Sequence, residues 1–157
     1  MLCAKSAFAM FVLVGSLLAA DPALGTWKLN VAKSKYSPGP PPKSAIFTYD
    51  ASGEGIRRTG ETVNADGQTT SFEYTAQYDG KDYPMRGNPN ADTVSLKRVN
   101  DRTVEATLKK NGKVTTTAPR VVSSDGKTLT LTITGTNAQG QTVQGQTVKN
   151  VTIYEKQ

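Results

Sequence analysis

The residues with the most to offer chemically are aromatic and spaced two apart. Phe47 and Tyr49 form one such pair and Phe72 and Tyr74 another, with Tyr78 four positions on and Tyr154 near the C-terminus. A period of two places them on one face of extended strands, where each ring can bury on the order of 200 Å². Arg120 falls in the same alternation as Val114 and Val122. Rings with one cation and several hydroxyls are the make-up of a small-molecule cavity: the rings cover an apolar or aromatic guest, and Arg120 and the tyrosine hydroxyls fix its polar end. The same residues equally suit a β-barrel that fills its own interior, with Arg120 stacked over Trp27 to close the base, and that acts as an interaction or structural module through its surface and loops. Arg58 and Arg98 sit at positions that read either as inward or as edge.

Catalysis has little to work with. The chain contains no histidine, which removes Ser-His-Asp and Cys-His arrangements, His-ligated zinc and the usual general base near neutral pH. Among the 13 acidic residues, Asp50, Asp66, Asp79, Asp101 and Asp125 fall in or beside turns, and Glu61, Glu73 and Glu105 take outward strand positions. Turn capping and solvated faces account for them better than a carboxylate pair for glycoside hydrolysis. No Gly-rich phosphate loop occurs; Gly135 and Gly140 flank a turn. The expectation is a protein without catalytic residues, metal or cofactor.

These residues need a scaffold, and the first twenty do not belong to it. Lys5 precedes an apolar run from Ala7 through Leu18, broken only by Gly15 and Ser16, and Ala19-Ala20 stand before Asp21. This is the pattern of a signal peptide, too short to span a bilayer. We expect cleavage near Ala20, a secreted or periplasmic destination, and a single domain over residues 21–157. No cysteine stands at the cut to carry a lipid anchor. Cleavage also removes Cys3, the one cysteine, so disulfides cannot contribute to stability. The 19 basic and 13 acidic residues give a net charge of +6, lowered by one with Lys5. The basic residues are scattered rather than gathered into a stripe with aromatic platforms, which argues against a nucleic-acid partner.

The remainder reads as strands and turns. Trp27, Leu29 and Val31 share one face of a first strand. Lys33 to Pro42, with the run Pro38-Gly39-Pro40-Pro41-Pro42, allows neither helix nor central strand and predicts a stiff connector across the sheet edge or barrel mouth. The clearest alternation is Thr70, Phe72, Tyr74, Ala76 and Tyr78. Asn64-Ala65-Asp66-Gly67, Asp79-Gly80-Lys81, Asn111-Gly112 and Ala138-Gln139-Gly140 read as turns, and Pro84 marks an edge. Val94 and Leu96, Val104 to Leu108, Val114 to Val122 with a bulge at Pro119, and Leu129 to Ile133 supply further inward sets. Sequential hairpins of this kind predict an all-β fold, an antiparallel up-and-down β-barrel of about eight to ten strands.

Two short segments carry a family resemblance. Gly25-Thr26-Trp27-Lys28-Leu29 resembles the Gly-x-Trp signature that opens the first strand of the calycins, the superfamily of lipocalins and fatty-acid-binding proteins, and Ile153-Tyr154-Glu155-Lys156 is similar to the closing strand of the fatty-acid binders. The whole chain is similar to small exported lipocalin-like proteins of environmental bacteria. The resemblance implies a barrel whose cavity holds a small apolar molecule, with Trp27 as a packing residue. Where the fatty-acid binders carry Arg-x-Tyr on the last strand to grip a carboxylate, this chain has Thr152-Ile153-Tyr154, and only the tyrosine carries over. Their helical lid has no counterpart, since Lys33 to Pro42 is too short and too rich in proline.

Overall fold

In a computed structural model, whose described residues are 20–136 and 148–157, the chain forms a closed antiparallel barrel with up-and-down connections and no helix. The strands are β1 (Gly25–Lys35), β2 (Ser44–Ser52), β3 (Gly55–Val63), β4 (Thr69–Gln77), β5 (Asp79–Arg86), β6 (Thr93–Asn100), β7 (Thr103–Lys110), β8 (Lys113–Thr117), β9 (Arg120–Val122), β10 (Thr128–Gly135) and β11 (Val148–Lys156). Apart from β8 and β9, each pairs with its sequence neighbour, and β11 returns to β1, with Leu29 opposite Tyr154. The segments β8 and β9 are one stave interrupted at Ala118-Pro119. Thr117 faces Thr107 and Arg120 faces Val104, so the register against β7 is unbroken; the barrel therefore has ten staves. Proline lacks the N–H that a continuous ladder would use there.

The expected signal segment and the turn at Ala138-Gln139-Gly140 lie outside the described residues. The turns that can be compared follow from backbone chemistry. At Asn111-Gly112 both residues take positive φ, 50° and 76°, as a two-residue hairpin turn requires. Asp66 Oδ1 accepts from the Gln68 amide at 3.0 Å, a side chain standing in for a turn carbonyl.

The chain reverses at Asp79-Gly80-Lys81 as expected, with Gly80 at φ 76° and Asp79 Oδ1 accepting from the Lys81 amide at 3.0 Å, although Asp79 and Gly80 already belong to the irregular start of β5, where the register against β6 shifts between Asp79 and Asp82. One expectation needs correction. Val114 points to solvent, 54% exposed, rather than inward. Leu108 faces Thr116 but Lys109 faces Val114, so Thr115 is an extra residue whose bulge reverses the facing of everything before it. Thr115 itself is buried, donating its hydroxyl to the Asn90 carbonyl at 2.7 Å.

One end of the barrel is a floor and the other a mouth. At the floor, Trp27 is fully buried, and its Nε1 donates to the Ala23 carbonyl at 2.7 Å, which satisfies the single polar atom of a large apolar ring. Lys156, not Arg120, lies over the indole, its Nζ 5.4 Å from the ring centre. At the mouth the proline-rich connector is stapled at both ends: Lys149 N donates to the Ser37 carbonyl at 2.7 Å and Lys43 N to the Val63 carbonyl at 2.8 Å.

The wall is uneven. Whereas β2 and β3 pair from Ser44–Val63 to Ser52–Gly55, β4 meets β5 only at Glu73–Arg86 and Tyr74–Met85. Pro84 thus lies on a stave firmly paired to β6 and nearly free on its other side.

Candidate functional site

Strand register assembles the interior rings in two rows. Tyr49 of β2 faces Arg58 of β3, which faces Tyr74 of β4; one step toward the mouth, Phe47 faces Gly60, which faces Phe72. Gly60 is what lets the second row close. A Cβ at that position would stand 2.5 Å from Phe72 Cζ and 2.9 Å from Phe47 Cβ, so the two phenylalanines occupy the space that a side chain would take. Strand-interior glycine is a known mark of such close approach.

Arg58 fills the hollow between the rows. Its guanidinium carbon lies 4.2 Å from the centre of the Phe47 ring, 4.6 Å from Phe72 and 5.4 Å from Tyr49. Tyr154 of β11 packs on Phe47 with ring centres 4.5 Å apart. Tyr74 lies beside Arg58, whose charge favours the phenolate, but burial outweighs this and pushes the phenol well above its ordinary pKa, so Tyr74 stays neutral. Burial opposes the charge on Arg58, but the tyrosine oxygens around it outweigh this and keep the guanidinium protonated. Arg58 Nε has no hydrogen-bond partner.

Beside this cluster is a cavity of about 270 Å³. Tyr49, Arg58, Phe72, Tyr74 and Tyr154 line one side, and aliphatic side chains such as Val94, Leu96, Val104, Leu108 and Leu131 line the other. Toward the mouth the lining turns polar at Asn88, Asn90 and Thr116. Thr62, Ile133 and Tyr154 are shared with the hollow beneath Pro40 and Pro42, so the cavity leads to the mouth under the connector.

Arg120 also borders the cavity, beside a carboxylate that it shares with Arg98. Its Nη2 lies 3.5 Å from Asp21 Oδ2, its guanidinium stands 4.8 Å from the Tyr49 ring centre, and the side chain is 5% exposed. Asp21 gathers the floor: it accepts from the Tyr78 hydroxyl, from Arg98 Nη2 at 2.9 Å and, through Oδ1, from the Ala23 amide at 2.9 Å. Burial raises the Asp21 pKa, yet Arg120, Tyr78, the Ala23 amide and Arg98 together outweigh that and hold the carboxyl below its usual range. Tyr78, desolvated in the same cluster, is pushed up to about 12.

The residues singled out from sequence therefore divide. Tyr49, Phe72, Tyr74, Arg120 and Tyr154 border the cavity. Phe47 backs it through Arg58 and Tyr154, while Tyr78 and Trp27 belong to the floor. Of the two ambiguous arginines, Arg58 turns inward and Arg98 goes to the floor over Tyr78, 4.0 Å from its ring centre. Three contributors escaped the sequence reading: Arg58 as the central cation, Gly60 as the gap that admits the rings, and Asp21 as the floor anchor. Gly60 carried a signal, being a glycine inside an otherwise regular strand. Asp21 carried none, because its partners are brought to it by distant strands.

Among the described residues, no group of three or more His, Cys, Asp or Glu side chains could hold a metal ion. Compared with protein-family models and with curated proteins, the chain finds no match.

Proposed function

We propose that this chain is an exported, non-catalytic barrel that shelters a small apolar or aromatic molecule in its interior. It sorts with the lipocalin-like branch of the calycins, acts free of a membrane anchor in the periplasm or outside the cell, and has no nucleic-acid partner. The observation that carries this reading is the lined cavity. A core filled by its own side chains would leave no space beside Tyr49, Phe72, Tyr74 and Tyr154, whereas about 270 Å³ lies open there. Apolar walls with a few convergent polar groups favour a guest that is mostly hydrocarbon with one polar end. The scattered charges and the twofold strand pattern support nothing more specific on the outer surface.

The test is recovery of the guest. Protein purified from the compartment to which it is exported is extracted with organic solvent and the extract is read by mass spectrometry, while micromolar titration of a fluorescent apolar probe follows the emptied barrel. A small molecule recovered near one per chain, able to displace the probe, supports the reading. An empty extract together with a probe that never leaves water overturns it.

A further inference from the structure

The interior holds more guanidiniums than carboxylates. Two guanidiniums border the cavity, Arg58 and Arg120. Arg120 has the Asp21 carboxylate 3.5 Å away, shared with Arg98 at 2.9 Å, and no carboxylate pairs with Arg58 among the described residues. Arg58 is half-buried, with its Nε fully buried and its side chain against the cavity. An unpaired buried cation is costly. The faces of Phe47 and Phe72 offset part of this, though a ring quadrupole supplies no acceptor for an N–H, and Nε lacks one altogether.

Resting on the interior-binding reading, we infer that the guest is a compact organic anion whose carboxylate docks against Arg58 and the Tyr74 hydroxyl. Charge sets the class: Arg58 has no carboxylate of its own, and the one beside Arg120 is shared with Arg98. Space sets the size. The cavity of about 270 Å³ takes a compact body beside Arg58, and anything longer runs toward the mouth under the connector. Position sets the orientation. Arg58 is three residues from Gly55, where β3 begins at the floor, and five from Val63, where it ends at the mouth. The acid therefore enters first, and the body lies among Val94, Leu96 and Leu108, with Asn88 and Asn90 at its outer end.

The experiment compares 3-phenylpropionate with its primary amide, which has the same shape but no charge, by isothermal titration into the purified exported protein. A guanidinium–carboxylate contact in a sheltered site makes the acid bind about 10- to 100-fold more tightly. In Arg58→Gln the acid loses that advantage while the amide keeps its affinity; Arg58→Lys, which retains the charge, keeps part of it. The contrast between acid and amide on the unaltered protein stands even if the variants fail to fold. Equal binding of acid and amide overturns the anionic guest and leaves the interior-binding reading in place. Binding of neither at millimolar concentration overturns both.

Discussion

Gly60 determines how closely the rings of the interior approach one another, because the strands on either side present Phe47 and Phe72 to the same point. Gly60→Ala puts a methyl group 2.5 Å from Phe72 Cζ, so a ring must shift and the Arg58 stack shifts with it. The expected loss is about 1–3 kcal/mol of unfolding free energy, measured by urea denaturation, and a variant as stable as the parent would show that the rings yield freely. Trp27 makes a second residue-scale claim. In Trp27→Phe the ring volume is largely kept but the Ala23 carbonyl loses its 2.7 Å donor, for an expected cost of about 1–3 kcal/mol; Trp27→Ala, which opens a cavity as well, costs about 3–5 kcal/mol. At this scale the sequence was a partial guide. Period-two spacing was enough to bring Tyr49, Phe72, Tyr74 and Tyr154 to one space, because facing alternates strictly along a strand. It could not say which arginine would be left without a carboxylate, since that depends on Asp21 arriving beside Arg98 and Arg120, the latter from ninety-nine positions away.

The elements were legible where the backbone alone decides them. Asn111-Gly112 turns the chain because those residues tolerate positive φ, and Pro119 interrupts its stave because it lacks a donor. The facing of Val114 was not legible. A single extra residue, Thr115, inverts it, and a bulge leaves no mark in an alternating pattern of threonines. The same strand geometry predicts where the barrel opens first. With β4 held to β5 only at Glu73–Arg86 and Tyr74–Met85, the amide of Thr75, which points into this seam, should exchange with solvent faster than those of β2 and β3, which pair along their full lengths. Local opening follows the number of ladder bonds that must break together. Residue-resolved hydrogen exchange checks this, and uniform protection around the ring would count against a weak seam.

Closing the sheet into a ring removes exposed edges, but a ring also needs its end closed, and here the first described residues do that. Asp21 draws Tyr78, Arg98 of β6 and Arg120 of β9 to the segment that precedes β1, so one carboxylate ties together strands from opposite sides of the barrel. Signal cleavage after Ala20 would make this anchor the first residue of the mature chain. Its folded pKa lies below the unfolded value of about 3.9, because its cationic and hydrogen-bonding partners outweigh burial. A depressed carboxyl contributes stability that is fully present above the unfolded pKa and is lost as pH falls through the folded one. Asp21→Asn removes the charge and leaves Arg120 buried against Tyr49, for an expected loss near pH 7 of about 2–4 kcal/mol, toward the lower end because Arg98 is 34% exposed. Asp79, Asp125 and Glu155 also have lowered pKa values, but they are exposed and common to both proteins, so the difference between parent and variant isolates Asp21. Urea unfolding at successive pH values from 7 to 3 should show the gap constant down to about pH 5 and then narrowing as the parent takes up its proton. A gap that stays the same to pH 3 would mean that the floor is held by packing around Trp27 and not by the Asp21 charge.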